Sequence, residues 1–280
     1  MGPYPGDSLE RLQATQREIL SVIDDLCERN GIEWFADGGT CLGAMRHQGF
    51  IPWDDDIDIA MPYEDWLRFV ELAASELPEG YSLHTYRNTP GMTAFWAKIY
   101  KDGTRFIDHE MIESHVEQGI FVDVMPYCVL EADEKRAARQ RQRASVLQRI
   151  SYLTRLKHPK IPWNFKNKEF WRRACLVGHY VVRFVPVRFL AWLFWRTWRC
   201  KEPGDLCVNA NYAANDPIRR EVLLPTKRVP FDDITIRVPA DAVEYLNHLY
   251  WKWHELPPED DRFRHAPEIL DFGDGVNVIS

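Results

Sequence analysis

The stretch Phe50-Ile51-Pro52-Trp53-Asp54-Asp55-Asp56-Ile57-Asp58-Ile59 constrains this chain more than any other. Side chains on an extended backbone alternate between two faces. Asp54, Asp56 and Asp58 therefore share one face, and Ile57 and Ile59 point the other way, into a core. Carboxylates crowded on one face repel and raise one another's pKa unless a cation stands among them. Hard divalent cations such as Mg²⁺ or Mn²⁺ take oxygen ligands and often bridge to substrate phosphates. A solvated acidic turn is the plainer reading of such a run, and the isoleucine alternation argues against it.

A second carboxylate stands alone in Gly119-Ile120-Phe121-Val122-Asp123-Val124-Met125-Pro126. An ionised Asp in an apolar strand costs several kcal/mol unless something pairs with it. A metal shared with Asp56 and Asp58 would meet that need, and so would an arginine or backbone amides. Upstream, Asp37-Gly38-Gly39-Thr40 precedes the acidic strand. Two glycines let a backbone approach a ligand closely, and the amides opening the next helix favour a phosphate. A plain turn has the same composition. Arg46 and His47 close that short helix. Arg46 suits a bidentate phosphate clamp or a surface structural role. No G-x-S-x-G elbow and no P-loop occur, and nothing places a base beside Cys41.

The rest of the chain fits one large domain carrying an insertion. Apolar residues make up 45% of the 280, enough for a core. Asp7-Ser8 opens a predicted helix with Leu9, Leu12, Ile19, Leu20, Ile23 and Leu26 at helical spacing, ended by Asn30-Gly31. Short strands are predicted over 33–36 and 57–60, a helix over 64–77, two or three strands over 81–108, and a buried strand over 119–124. Strands and helices mix without strict βαβ alternation, so the fold class is α/β (α+β), a mixed sheet flanked by helices. The expected boundaries are 1–130 for the core, 131–205 for a basic, tryptophan-rich helical insertion, and 206–280 for a C-terminal part completing the domain.

Charge separates the insertion from the rest. Residues 133–201 hold 18 Lys/Arg against 3 Asp/Glu, although the whole chain is at −7. Such asymmetry marks a segment with its own surface role, while the acidic body argues against nucleic-acid binding. Six scattered cysteines without a C-x-x-C pair suggest reduced thiols in a cytoplasmic setting. The N-terminus has no basic region followed by an apolar run, so no signal peptide is expected.

The string from Asp37 to His47, continued by Gly49 to Asp58, resembles the LicD family of bacterial phosphocholine transferases, whose core fukutin and fukutin-related protein share. The resemblance extends to Phe121–Pro126, and resumes at Pro239–Trp251 and at Leu256-Pro257-Pro258-Glu259 with His265. It implies a nucleotidyltransferase-like fold in which Asp56, Asp58 and Asp123 hold Mg²⁺ (or Mn²⁺). The Gly38-Gly39-Thr40 turn would support the donor phosphates. Beside it, Arg46 and Lys98 are candidate phosphate contacts, although Lys98 reads equally as a strand lysine snorkelling to solvent, and Asp54, His47 and His265 are additional candidates. It further implies a CDP-linked donor, CDP-choline before a CDP-alditol, and transfer to a hydroxyl of a cell-surface glycan such as lipopolysaccharide or teichoic acid, with release of CMP. Asp123 is the best candidate for the base. The cysteines do not resemble the zinc-binding arrangement of fukutin-related protein, so no zinc is carried over.

Two other functions use similar features: a metal-dependent glycosyltransferase with a D-x-D site, and a glycan-binding module that has lost catalysis. In the insertion, a helix over 187–200 would set Arg188, Arg196 and Arg199 within about 80° of one another. Trp192 and Trp195 flank them. That strip suits a lipid headgroup layer and predicts a cytoplasmic enzyme resting peripherally on the inner face of the membrane, near a lipid-linked acceptor. A helical lid or a subunit contact with core aromatics fits the same pattern.

Overall fold

The computed structural model describes residues 4–159, 167–258, 262 and 266–279. In chain order the elements are α1 (Ser8–Asn30), β1 (Phe35–Ala36), α2 (Gly38–His47), β2 (Asp58–Pro62), α3 (Tyr63–Glu76), β3 (Tyr81–His84) and β4 (Ala97–Lys101). There follow β5 (Arg105–Ile107), α4 (His109–Ser114), β6 (Ile120–Glu131), α5 (Glu134–Leu153), α6 (Lys168–Val182) and α7 (Val187–Thr197). The chain closes with β7 (Pro203–Asn209), β8 (Ile218–Arg219), α8 (Arg220–Leu223), β9 (Lys227–Phe231), β10 (Ile234–Val238), α9 (Ala242–Leu249) and β11 (Ile269–Asp271).

The mixed sheet flanked by helices is the expected class. Its strands run β1-β2-β6-β4-β3, and β7 joins the C-terminal half of β6 and carries β8. β2 and β6 pair in parallel, and the other ladders are antiparallel. A parallel pair needs a crossover, here supplied by the long path through α3, β3 and β4. Strand β6 is twelve residues long, twice the predicted length, because its second half finds a new partner in β7. Helix α1 buries Leu12, Ile19, Leu20, Ile23 and Leu26 as predicted, while Leu9, at its first turn, is only partly buried, and Gly31 ends it at φ 59°. β9–β10 and β5–β11 form separate two-stranded ribbons.

The described residues of the basic segment form α5, α6 and α7, and the segment is tied to the sheet at both ends, since β6 leads into it and β7 returns from it. Helix α7 buries Leu190, Ala191 and Phe194. Trp195 stacks on Trp66 of α3 at 5.1 Å and on Tyr63 at 5.2 Å. Trp66 is core and Trp195 and Tyr63 pack against it, whereas Phe189 and Trp192 stay about half exposed. Among the described residues no single helix is long and apolar enough to cross a membrane. Helices α6 and α7 together match a span in length and composition but are bent by 104° where Pro186 starts the second.

Candidate active site

Strand register brings the charged residues together. β2 lies parallel to β6 with Asp58 beside Asp123. β4 lies antiparallel on the other side, with Lys98 beside Asp123. In-register neighbours project to one face, so Asp58, Asp123 and Lys98 form a row across three strands. The Lys98 ammonium is 2.7 Å from Asp123 Oδ1, and Trp96 Nε1 donates to the same oxygen at 2.8 Å. Both side chains of the ion pair are 10% exposed. Lys98 also sits 3.5 Å from the centre of the Phe121 ring, a cation–π contact.

The acidic run before β2 behaves as alternation requires, although it forms no ladder until Asp58. Asp54, Asp56 and Asp58 are half-buried, while Asp55, Ile57 and Ile59 are fully buried. Asp55 is turned into the body: its Oδ2 accepts from Tyr4 Oη at 2.6 Å and from Ala266 N at 3.0 Å. The other three line a cleft of about 720 Å³ together with Asp123, Lys98, Gly39 and Arg46. A Cβ on Gly39 would meet Asp54 Oδ2 at 3.2 Å, so glycine there lets the α2 backbone close on the acidic loop.

Gly38 and Gly39, predicted as a turn before the helix, form the first turn of α2 itself. Asp37 is its N-cap, accepting from Gly38 N at 3.1 Å. That buried carboxylate also accepts from Tyr127 Oη of β6 and Asn209 Nδ2 of β7, each at 2.9 Å, and from Tyr245 Oη of α9. Burial raises its pKa, and the bonds from Tyr245, Tyr127 and Asn209 oppose the rise. Asp37 therefore pins the start of α2 against two strands and a helix. Thr40 Oγ1 accepts from Asp58 N at 2.9 Å, which fixes where β2 begins.

Arg46 borders the cleft, with Nη1 donating to Trp253 O at 2.7 Å and to Glu255 O at 3.2 Å. Its Nε donates to His47 Nε2 at 3.0 Å. Burial, then Arg46, lowers the His47 pKa, which suits a neutral acceptor ring. Gly38, Thr40 and His47 are not among the cleft-lining residues, and His265 lies outside the described residues. The sequence reading passed over Trp96, two positions from Lys98 and so on the same strand face. It also passed over Trp53, Asp108, Glu110 and Tyr250 on the cleft walls. Trp53 adjoins Asp54 and Tyr250 falls within the Pro239–Trp251 stretch, although neither was given a role, whereas Asp108 and Glu110 come from a part of the chain that nothing local marks.

The donor set suits a hard divalent cation. Asp54, Asp56, Asp58 and Asp123 offer oxygen alone, and no His or Cys lines the cleft among the described residues. Carboxylate oxygens of Asp54, Asp55 and Asp56 lie within 4.8 Å of one another. Because Asp55 is held by Tyr4 and Ala266, Asp54 and Asp56 are the members of that group facing the cleft.

Comparison with known proteins bears on this site. The family described as LicD/FKTN/FKRP, nucleotidyltransferase domain, matches residues 31–171, which include Asp54, Asp56, Asp58 and Asp123. The lipopolysaccharide cholinephosphotransferase LicD of Haemophilus influenzae is 27% identical over 273 residues, 92% of this chain and 96% of that protein. The ribitol 5-phosphate transferase FKRP of Homo sapiens is 38% identical over 61 residues, 22% of this chain and 12% of that protein.

Proposed function

The chain belongs to the LicD/FKTN/FKRP family, and from that premise we propose that it is a metal-dependent phosphotransferase that modifies a glycan. The donor in this reading is CDP-activated, with phosphocholine as the group moved and a phospho-alditol as the second choice. The acceptor is a hydroxyl of a cell-surface glycan, and the nucleotide leaves as CMP. The similarity to a cholinephosphotransferase over nearly the whole chain supports phosphocholine first. The observation that carries the reading is that Asp54, Asp56, Asp58 and Asp123 line, with Lys98, a cleft large enough for a nucleotide-linked donor.

Asp56, Asp58 and Asp123 would hold the Mg²⁺ or Mn²⁺. Bound there, the cation supplies charge neutralisation for the donor diphosphate and the leaving nucleotide. The α2 N-terminus, brought to the cleft by Gly39, favours a donor phosphate oxygen. Lys98 and Trp96 hold one oxygen of Asp123 and so orient its carboxylate. Asp123 then accepts the proton of the attacking hydroxyl as the phosphodiester forms and CMP departs. Lys98, beside it, adds positive charge to the same face.

The test is to incubate the protein with Mg²⁺ and a panel of CDP-choline, CDP-alditols and UDP-sugars and to follow nucleotide release. CMP release from CDP-choline, lost on chelation, is the expected result. Tighter binding of UDP-sugars than of any CDP compound, by calorimetry, would sink the donor assignment. The same reading sets the enzyme in the cytoplasm, with the basic segment around 187–200 against the inner leaflet.

A further inference from the structure

Helix α6 is built inside out. At 100° per residue Phe170, Val177, Val181 and Phe184, the last just beyond the helix, fall within about 60° of one another. They are 63%, 64%, 72% and 77% exposed. The buried residue of α6, His179, lies on the opposite side, its Nδ1 2.9 Å from Leu153 O. An amphipathic helix normally turns its apolar stripe to the core, and this one turns it to the surroundings. Helix α7 then leaves at 104°, adding exposed Phe189 and Trp192.

Beside that elbow is a second cavity, of about 340 Å³, walled by Arg87, Arg155 and Arg188. Pro186 and Val187 of the elbow form one side. Gly91 and Met92 form another, and the same two residues line the catalytic cleft. Arg188 Nη2 donates to Arg87 O at 2.7 Å, which joins the elbow to the 85–92 turn. No carboxylate lines this cavity among the described residues, whereas Arg17, Arg228 and Arg237 on the acidic body all have one within reach. Guanidinium groups stay charged at any relevant pH. Three of them around one concavity attract an anion, and their forked donors match phosphate oxygens.

The spatial order is apolar elbow, arginine pocket, catalytic cleft. We propose that the pocket of Arg87, Arg155 and Arg188 binds the phosphate that links an acceptor glycan to its lipid, with α6 and the elbow seated in the lipid surface. The glycan then passes over Gly91 and Met92 into the cleft. The excess of Lys and Arg in the surrounding segment favours an anionic bilayer over a protein partner as the cover for the apolar stripe. The glycan's route rests on the transferase reading, while lipid and phosphate binding do not depend on turnover.

The experiment is sedimentation with phosphatidylcholine vesicles, plain or doped at equal charge with phosphatidylglycerol or a polyprenyl monophosphate. The full chain should bind the monophosphate-doped vesicles at least about tenfold more tightly than the phosphatidylglycerol ones. Arg87→Gln with Arg155→Gln should abolish that preference. Val181→Ser with Phe184→Ser should weaken association with all anionic vesicles, with the melting temperature of each variant serving as the folding control. Equal binding of the two anionic vesicles shows that surface charge alone is read, and overturns the pocket. Retained preference in the arginine variant overturns it as well. Absence of vesicle binding, or a Val181/Phe184 variant that changes only the oligomeric state, overturns the lipid seat. All of these are read without transfer, so failure here is distinct from failure of the CMP-release assay.

Discussion

At the scale of single residues, charge pairing decides what each acidic side chain can do. Asp58 lies in register with Asp123, and Asp56 faces the same cleft. In the proposed reading each would be a cation ligand, so Asp56→Asn or Asp58→Asn should cut metal-dependent CMP release by at least about 100-fold, with circular dichroism unchanged. Near-normal turnover at saturating Mg²⁺ would contradict the metal assignment. Lys98 is a different case, since it forms a buried pair with Asp123. Lys98→Met strands that carboxylate and should lower unfolding stability by about 3 kcal/mol in metal-free protein. Adding Asp123→Asn should restore part of the loss. If urea titrations show the two changes to be additive, the pair contributes nothing as a pair.

At the scale of elements, the long β6 links the row of Asp58, Asp123 and Lys98 to the basic segment, and its last residue is a sensitive joint. Glu131 accepts from Lys201 N at 2.9 Å and Glu202 N at 3.2 Å, with the Arg136 guanidinium 3.9 Å away. The bond from Lys201 N is the main reason that its pKa falls below the ordinary 4.5; burial opposes it, and Glu202 N and Arg136 add to it. A carboxyl lowered on folding stabilises fully above its unfolded pKa, and that contribution is lost as pH falls through the folded value. Glu131→Gln should therefore lower the melting temperature at neutral pH, by a margin that shrinks as pH drops below 4.5. A margin constant from pH 7 to pH 3 would mean that the carboxylate charge plays no part.

At the scale of the whole molecule, the basic segment shares a core with the rest of the chain. Phe194, Trp198 and Leu190 pack with Phe95, Cys128, Leu130 and Val208 around the outer half of β6, and Trp195 stacks across to α3. Trp195→Ala should cost about 3 kcal/mol and should unfold α7 together with the sheet in one transition. Two separate transitions, read by circular dichroism and by hydrogen exchange at β6, would show that the segment folds alone. We propose that 131–205 is an insertion in the sense of chain order, serving the site from outside while depending on the core for its fold.

The sequence by itself determined the acidic face. Alternation is a local property of an extended backbone, so Asp54, Asp56 and Asp58 could be separated from Asp55, Ile57 and Ile59 without knowing any partner strand. The period of α1, its glycine stop and the mixed character of the sheet were legible for the same reason. Only the tertiary structure decided that Asp123 stands beside Asp58 and that Lys98 completes the row, because strand register is set by neighbours far apart in the chain. It also decided that Asp37 serves as a cap bound by Tyr127, Asn209 and Tyr245, and that Thr40 holds the start of β2. Within the basic segment, helical spacing was read only over 187–200, and the apolar stripe of α6 emerged with the fold. Which stripe meets a core depends on what surface lies opposite, and there α7 found the sheet while α6 was left facing outward.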